Sequence, residues 1–139
     1  MSIETWKPEF YPIPADDKRL RTRVACLEHS IRKWIGLRET NLEKHGCTFH
    51  IRTGFVEFHG GVYGKFFFVD DSSCALCVRW YQRDGRCRPC PIVRVTGRTC
   101  QTAWARWSRH GDPEPMIRLL RRVLRSVKAE LAAKREKKR

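Results

Sequence analysis

The chain is poor in acidic residues and has no long hydrophobic run. It carries 15 Asp and Glu against 29 Lys and Arg, which gives a formal net charge of +14 over 139 residues. No stretch approaches the roughly 20 apolar residues that a membrane-spanning helix needs. The first ten residues, MSIETWKPEF, have neither the basic start nor the apolar run of an export signal. These absences predict no membrane partner and a reducing, cytoplasmic compartment.

The sequence also lacks the residue patterns of common active sites. No H-N-H, paired-carboxylate or Cys–His arrangement occurs at a spacing typical of catalysis. The adjacent acids Asp70 and Asp71 are more typical of a turn that follows a strand. We therefore expect a protein that is not an enzyme, and a nuclease is the weakest of the functions considered.

What the chain does have is a cluster of five of its seven cysteines. Cys74 and Cys77 form one C-x-x-C pair, Cys87 and Cys90 form a second, and Cys100 follows. Two such pairs in a reducing compartment are typical of a tetrahedral Zn²⁺ site rather than of disulfides. Four thiolates leave no position for water, so the expected zinc is structural. The two pairs are the simplest ligand set, but Cys100 could replace Cys87 or Cys90.

The positive charge is concentrated in the second half of the chain. Residues 1–78 carry 11 basic and 10 acidic groups, whereas residues 79–110 carry eight Arg against one Asp. Residues 118–139 carry ten basic groups against two acids. This asymmetry predicts a polyanionic or acidic partner, although a solvated face that only maintains solubility is the alternative. The residues expected to contact the partner are Arg86, Arg88, Arg94, Arg98, Arg118, Arg121, Arg122, Arg125 and Lys128.

Apolar periodicity predicts a first amphipathic helix that begins after a cap at Asp16 or Asp17. Its apolar residues recur at helical spacing from Leu20 to Ile35 and predict a core stripe. His29 and Lys33 fall outside that stripe, so both side chains are expected to be solvated.

A second amphipathic helix is predicted from the start signal Asp112-Pro113-Glu114. Its apolar residues, which include Leu120 and Leu124, cover about 160° of the helical wheel. The basic residues occupy the opposite side and must face solvent, because burying several unpaired cations is prohibitively costly. Residues 134–139, KREKKR, are expected to fray into a disordered basic tail.

The remaining segments complete an α+β prediction. Residues 1–15 hold three prolines among aromatics and predict an extended arm packed on the body. Residues 47–70 predict two or three short antiparallel strands, with the run 66–69 the most buried and a hairpin turn at His59-Gly60-Gly61. The expected fold is one small domain over residues 16–133, with two packed amphipathic helices, a short antiparallel sheet and a zinc-knuckle lobe.

Trp104 and Trp107 follow the cysteines and lie among arginines. Aromatics interleaved with arginine can stack on nucleic-acid bases. Two tryptophans at helical spacing can equally seal the cysteine-rich lobe onto the body, and this second interpretation is favoured because large aromatics dominate cores.

Several motifs together resemble a known family. They are Lys33-Trp34-x-Gly36-Leu37-Arg38, Asn41-Leu42-x-Lys44-His45-Gly46, Cys74-Ala75-Leu76-Cys77, Cys87-x-x-Cys90-Pro91 with Thr96-Gly97 and Cys100, and Gly111-Asp112-Pro113-Glu114-Pro115-Met116-Ile117. Over about residues 29–120 the chain resembles small uncharacterised cysteine-rich proteins of tailed phages and prophages. The resemblance implies a phage or prophage origin, hence a host-cell cytoplasm, and five recurrent cysteines. It implies no activity or substrate.

Two binding functions fit these observations. The first is a zinc-stabilised basic protein that engages nucleic acid or a nucleoprotein complex, where Arg and Lys neutralise phosphates without reading sequence. The alternative is a phage effector, of the anti-CRISPR or host-takeover type, that binds an acidic surface of a host protein.

Overall fold

The structure is a computed structural model that describes residues 2–50, 55–58 and 66–138. The predicted α+β class is confirmed, since the described residues form helices and a three-stranded antiparallel sheet. The predicted turn at residues 59–61 lies outside the described residues. The elements are, in chain order, α1 (Ile3–Phe10), α2 (Arg23–Gly36), α3 (Glu39–Lys44), β1 (Cys47–His50), β2 (Phe55–Phe58), β3 (Phe66–Phe68), a 3₁₀ turn (Asp71–Ser73), a π-helix (Cys77–Tyr81), α4 (Gln82–Asp84), α5 (Pro91–Thr96), α6 (Gln101–His110) and α7 (Glu114–Lys137).

Helix α2 packs along α7, as predicted, and the two form the centre of the core. The predicted start of α2 is wrong. The helix begins at Arg23 because the Thr22 hydroxyl accepts a backbone N–H of the first turn at 3.0 Å. Asp17 instead accepts hydrogen bonds from the backbone and guanidinium of Arg19 in the preceding turn. The Asp17 carboxylate therefore pairs with Arg19 and does not cap α2.

Helix α7 begins as the sequence predicts, with the Asp112 carboxylate accepting the backbone N–H of Glu114 at 3.0 Å. The prediction of a disordered tail is wrong, because α7 continues to Lys137. Residues 131–137 are mostly strong helix formers, and Lys134 pairs with Glu130 one turn earlier at 3.2 Å. The buried side chains of α7 are Met116, Ile117, Leu120, Val123 and Val127.

The two leucines that the sequence places in the core differ in burial. Leu120 is 1% exposed, whereas Leu124 is only partly buried and lies in a surface groove beside α2. Leu120→Ala is therefore expected to lower the free energy of unfolding by about 2–5 kcal/mol. Leu124→Ala should cost clearly less, because its site can fill with solvent. Urea unfolding of both variants checks this order, and equal losses would contradict the burial difference.

The predicted extended arm at residues 1–15 is corrected by the structure, which forms helix α1 there. Ser2 and Thr5 make a reciprocal capping box at its start, and Pro8 falls late enough to leave the first turn intact. Trp6 is fully buried, and its indole N–H donates to the carbonyl oxygen of Gly36 at 2.8 Å. The sequence predicts that the aromatics of residues 1–15 pack on the body, and Trp6 and Phe10 do so. The capping box and this burial together offset the helix-destabilising effect of proline.

The sheet is a meander in the order β1-β2-β3. Phe49 is opposite Val56, and Val56 is opposite Phe67, so this row faces the core. The expectation that the run 66–69 is the most buried holds for Phe67 and Val69 but is wrong for the other two residues: Phe66 is 43% and Phe68 is 58% exposed. Successive strand residues point to opposite faces, so three consecutive phenylalanines cannot all face inward.

Candidate metal centre and basic surface

Four of the five clustered cysteines line one cavity of about 280 Å³. Helix α2 supplies Lys33 and Trp34 to its wall, and α7 supplies Met116 and Leu120. Two further lining residues, Tyr81 and Trp104, are substantially exposed, so this part of the wall meets solvent. The cysteines on the wall are Cys74, Cys77, Cys87 and Cys100.

Local structure places three of the cysteines directly before helical segments. Cys74 leaves the 3₁₀ turn and precedes the helical residues 75–84, which include the π-helix. Cys90 precedes α5, where Pro91 occupies the first position, and Cys100 precedes α6. The backbone N–H groups of a first helical turn have no intrahelical partner. A sulfur at such a position therefore has donors nearby that favour its thiolate form.

The pKa of the Cys74 thiol is lowered to about 5. The largest cause is a hydrogen bond from the Cys77 thiol, followed among the stabilising effects by the Lys33 ammonium and the backbone N–H groups of residues 76 and 77. The pKa of Cys77 is raised, because its proton is held by Cys74 and because the thiol is buried. In this state the pair therefore shares one proton, which a bound cation would displace.

Burial raises the pKa of Cys90 to about 12 and that of Cys100 to about 11. The backbone N–H groups of residues 92 and 93 oppose the effect of burial at Cys90. The charges of Cys74, Cys77, Cys90 and Cys100 are close enough to affect one another, whereas Cys87 acts on Cys100. Cavity lining and mutual electrostatic effects therefore both assign Cys74, Cys77 and Cys100 to one cluster. Cys87 lines the cavity but Cys90 does not, whereas Cys90 has the stronger electrostatic links to the other cysteines.

Lys33 lies against this cluster, which corrects the prediction that it is solvated. Its side chain is 1% exposed, and its ammonium donates to the Ser73 carbonyl oxygen at 3.1 Å. The same ammonium lies 5.2 Å from the centre of the Trp34 ring. Burial lowers the pKa of Lys33, and negative charge on the neighbouring cysteines, above all on Cys74, opposes that shift. A buried cation requires a compensating negative charge, and the groups that act most strongly on Lys33 are cysteines, with the Asp70 carboxylate contributing less.

The sequence does contain a pattern that indicates the burial of Lys33, but it lies on a different side of α2 from the more obvious apolar stripe. Cys26, Ser30 and Lys33 recur at helical spacing and are all buried, as is His29. Helix α2 is therefore covered on two sides, by α7 and by the segment that leads to Cys74. The surface prediction for His29 is also wrong, since its Nε2 lies 2.8 Å from the Ile13 carbonyl oxygen.

The sulfurs surround the cavity without converging on one point. Across residues 2–50, 55–58 and 66–138, no three His, Cys, Asp or Glu side chains are gathered closely enough to hold a metal as they stand. All seven cysteines, which fall within those ranges, are free thiols. Their number, their soft sulfur chemistry and the adjacent cation fit a thiophilic metal. Closing on such an ion would require rotation of side chains.

Trp107 is fully buried and packs against Trp34 and Phe49, with ring centres 5.1 and 4.2 Å apart. Trp107 is therefore a core residue, as the favoured interpretation expects, although these contacts lie within the body of the fold. Trp104 differs, since it is 38% exposed and lines the cysteine cavity.

The predicted partner-binding residues all lie on the surface. In the cysteine-rich segment Arg86, Arg88, Arg94 and Arg98 are exposed. Lys128 is also exposed, but its ammonium faces the Glu28 carboxylate at 3.6 Å. Four exposed arginines of α7 form one stripe opposite the buried face, at spacing i, i+3, i+4 and i+7. They are Arg118, Arg121, Arg122 and Arg125.

Comparison with known proteins adds no relative: no protein-family model, curated protein or solved structure matches this chain. Among the helices of the described residues, none is long and apolar enough to cross a membrane.

Proposed function

We propose that this protein is a non-enzymatic, zinc-stabilised module that binds nucleic acid, alone or in a nucleoprotein complex, through its basic surface. The arginine stripe of α7 is the observation that carries the proposal. The four arginine residues span roughly 10 Å along the helix axis, at the usual rise of about 1.5 Å per residue. No acidic side chain in the described part of the chain pairs with any of them.

The stripe is unfavourable in the isolated protein. Like charges three or four residues apart on a helix destabilise it by about 0.2–0.5 kcal/mol per pair. The stripe contains four such pairs, and each is relieved when a polyanion supplies the missing negative charge. Phosphates along a nucleic-acid backbone provide that charge at regular spacing, and their neutralisation releases condensed counterions.

Zinc would give the cysteine-rich segment its stability. Cys74, Cys77 and Cys100 would hold the ion, with either Cys87 or Cys90 as the fourth ligand. The bound ion would act as a structural cross-link, because four thiolates leave no open coordination position. Lys33 would offset part of the net negative charge of a tetrathiolate site. Four arginines of the proposed binding surface lie on this segment, so holding it folded also holds them in place.

Reversing two charges of the stripe tests the proposal. In the double variant Arg121→Glu and Arg125→Glu, we expect an intact fold, because both side chains are exposed and face away from the core. The parent's log affinity for duplex DNA should fall with log salt concentration by roughly 0.9 per phosphate contact, and the variant should have weaker binding and a flatter slope. Fluorescence anisotropy titrations at several salt concentrations measure both quantities.

The matched control is Lys18→Glu with Arg21→Glu, which makes the same charge change on exposed residues of the nearly neutral half. This control should keep most of the affinity and the slope. If both double variants bind alike, the stripe is not the contact surface. If the parent binds neither duplex, single strands nor RNA at low salt, nucleic acid is not the partner, and an acidic protein surface becomes the leading hypothesis.

A further inference from the structure

A second basic feature lies on the cysteine-rich segment and differs from the α7 stripe in shape. It is an open hollow of about 700 Å³. Trp80 of the π-helix forms one part of its lining, and Arg94 of α5 forms another. The connecting loop supplies the rest. The complete lining is Trp80, Arg86, Arg88, Pro89 and Arg94.

The three arginines make this hollow a candidate anion site. All three are exposed, and no acidic side chain among those described pairs with them. A concave surface lined by charge of one sign concentrates the field and attracts counterions more strongly than a flat surface does. Guanidinium groups also match phosphate geometrically, because two parallel N–H donors can meet two oxygens.

Trp80 adds a feature that a simple phosphate site does not need. The ring is half-buried, and the Arg79 guanidinium carbon lies 5.4 Å from its centre. An indole held in place beside arginines offers a flat surface on which a nucleobase can stack. Pro89 lines the same hollow and supplies a second apolar surface.

Stacking on a protein side chain requires a base that is not already stacked within a helix. In duplexes the bases face one another inside the helix, and a side chain can stack on them only where the strand is unpaired. The α7 stripe contains no aromatic residue, so it can contact the backbone of either form. The Trp80 hollow should discriminate between the two forms.

We infer that the hollow lined by Trp80, Arg86, Arg88, Pro89 and Arg94 binds an unpaired nucleotide of single-stranded nucleic acid. The base stacks on Trp80, and the flanking phosphates contact the arginines. This inference rests on the proposed function and names the class of nucleic acid that the surface selects.

The test compares the parent, Trp80→Ala and Trp80→Phe on a labelled oligothymidine and on a duplex of the same length. The alanine variant should lose roughly 5- to 150-fold in affinity for the single strand, which corresponds to the usual range for one base on an aromatic ring. The phenylalanine variant should retain most of the affinity. Duplex binding should change less than twofold in both. The triple variant Arg86→Gln, Arg88→Gln and Arg94→Gln should also lose single-strand affinity while Trp80 is kept.

Metal content and thermal melting of each variant establish that it is folded, and the triple variant tests the hollow without removing its aromatic wall. Unchanged single-strand affinity in Trp80→Ala, or an equal loss on single strand and duplex, would overturn the inference while the α7 stripe still binds nucleic acid. A parent that binds neither form would instead overturn the proposed function, so the two failures are distinguishable.

Discussion

Replacing Cys77 by Ser is expected to abolish zinc binding and to unfold the segment from Cys74 to Cys100. The segment contributes only a few side chains to the core, chiefly Leu76 and Ile92, and its helices are short and its loop is rich in exposed arginine. In a site of this kind, metal-binding energy is folding energy, and structural zinc contributes about 10–16 kcal/mol in small zinc-finger peptides. Serine cannot replace a thiolate ligand at neutral pH, because its hydroxyl stays protonated.

Elemental analysis of the purified protein should find one zinc per chain in the parent and none in Cys77→Ser. Chelation of the parent should reproduce the loss of structure in the variant, as followed by circular dichroism. The matched control is Cys47→Ala, which removes a buried thiol of β1 that lies outside the cluster and should leave the zinc in place. A parent protein without zinc or any other metal would end the proposal of a metal centre.

The same measurement identifies the fourth ligand. Cys74→Ser and Cys100→Ser should behave like Cys77→Ser, because cavity lining and electrostatics both place these sulfurs in the cluster. Of Cys87→Ser and Cys90→Ser, only one should release the metal. If Cys100→Ser keeps its zinc, the two C-x-x-C pairs form the site without it.

The elements that the sequence predicts correctly are those with strong local signals. Helix α7 has a long apolar stripe and a start signal at Asp112, and both are sufficient without knowledge of the rest of the chain. The strands follow from alternation and from the aromatic content of residues 47–70. Helix α1 was missed because Pro8 and the two prolines that follow the helix dominate the local pattern, whereas the burial of Trp6 against α2 depends on the assembled core.

Within the candidate site, spacing along the chain predicts which cysteines belong together but not how they are arranged. Cys100 stands alone in the sequence, and only the fold brings it to the cavity with Cys74 and Cys77. Lys33 was missed for a related reason. A lysine on an amphipathic helix is normally solvated, and no local rule states that a cluster of thiols 40 residues later will cover it.

The burial of Lys33 leads to the second large effect. Lys33→Met keeps most of the side-chain volume and removes the charge. If Cys74 is a thiolate, alone or on a metal, the variant leaves a buried negative charge without its cation, which costs about 3–5 kcal/mol of stability. The Ser73 carbonyl oxygen also loses its donor. Zinc affinity should fall by about 10- to 100-fold, as when other groups that support metal ligands are removed.

The sign of the change in unfolding free energy shows whether Lys33 compensates a negative charge. If every cysteine near Lys33 were a neutral thiol, only the weaker effect of the Asp70 charge would compensate the buried cation, and the methionine variant would be about as stable as the parent or more so. Urea unfolding and competition with a zinc chelator measure the two effects separately. Lys44→Met is the matched control, because its ammonium pairs with Glu9 at 2.9 Å but is 59% exposed. Such a surface pair contributes about 0–1 kcal/mol. A Lys33→Met protein that is at least as stable as the parent, with unchanged zinc affinity, would show that the lysine does not compensate a thiolate cluster.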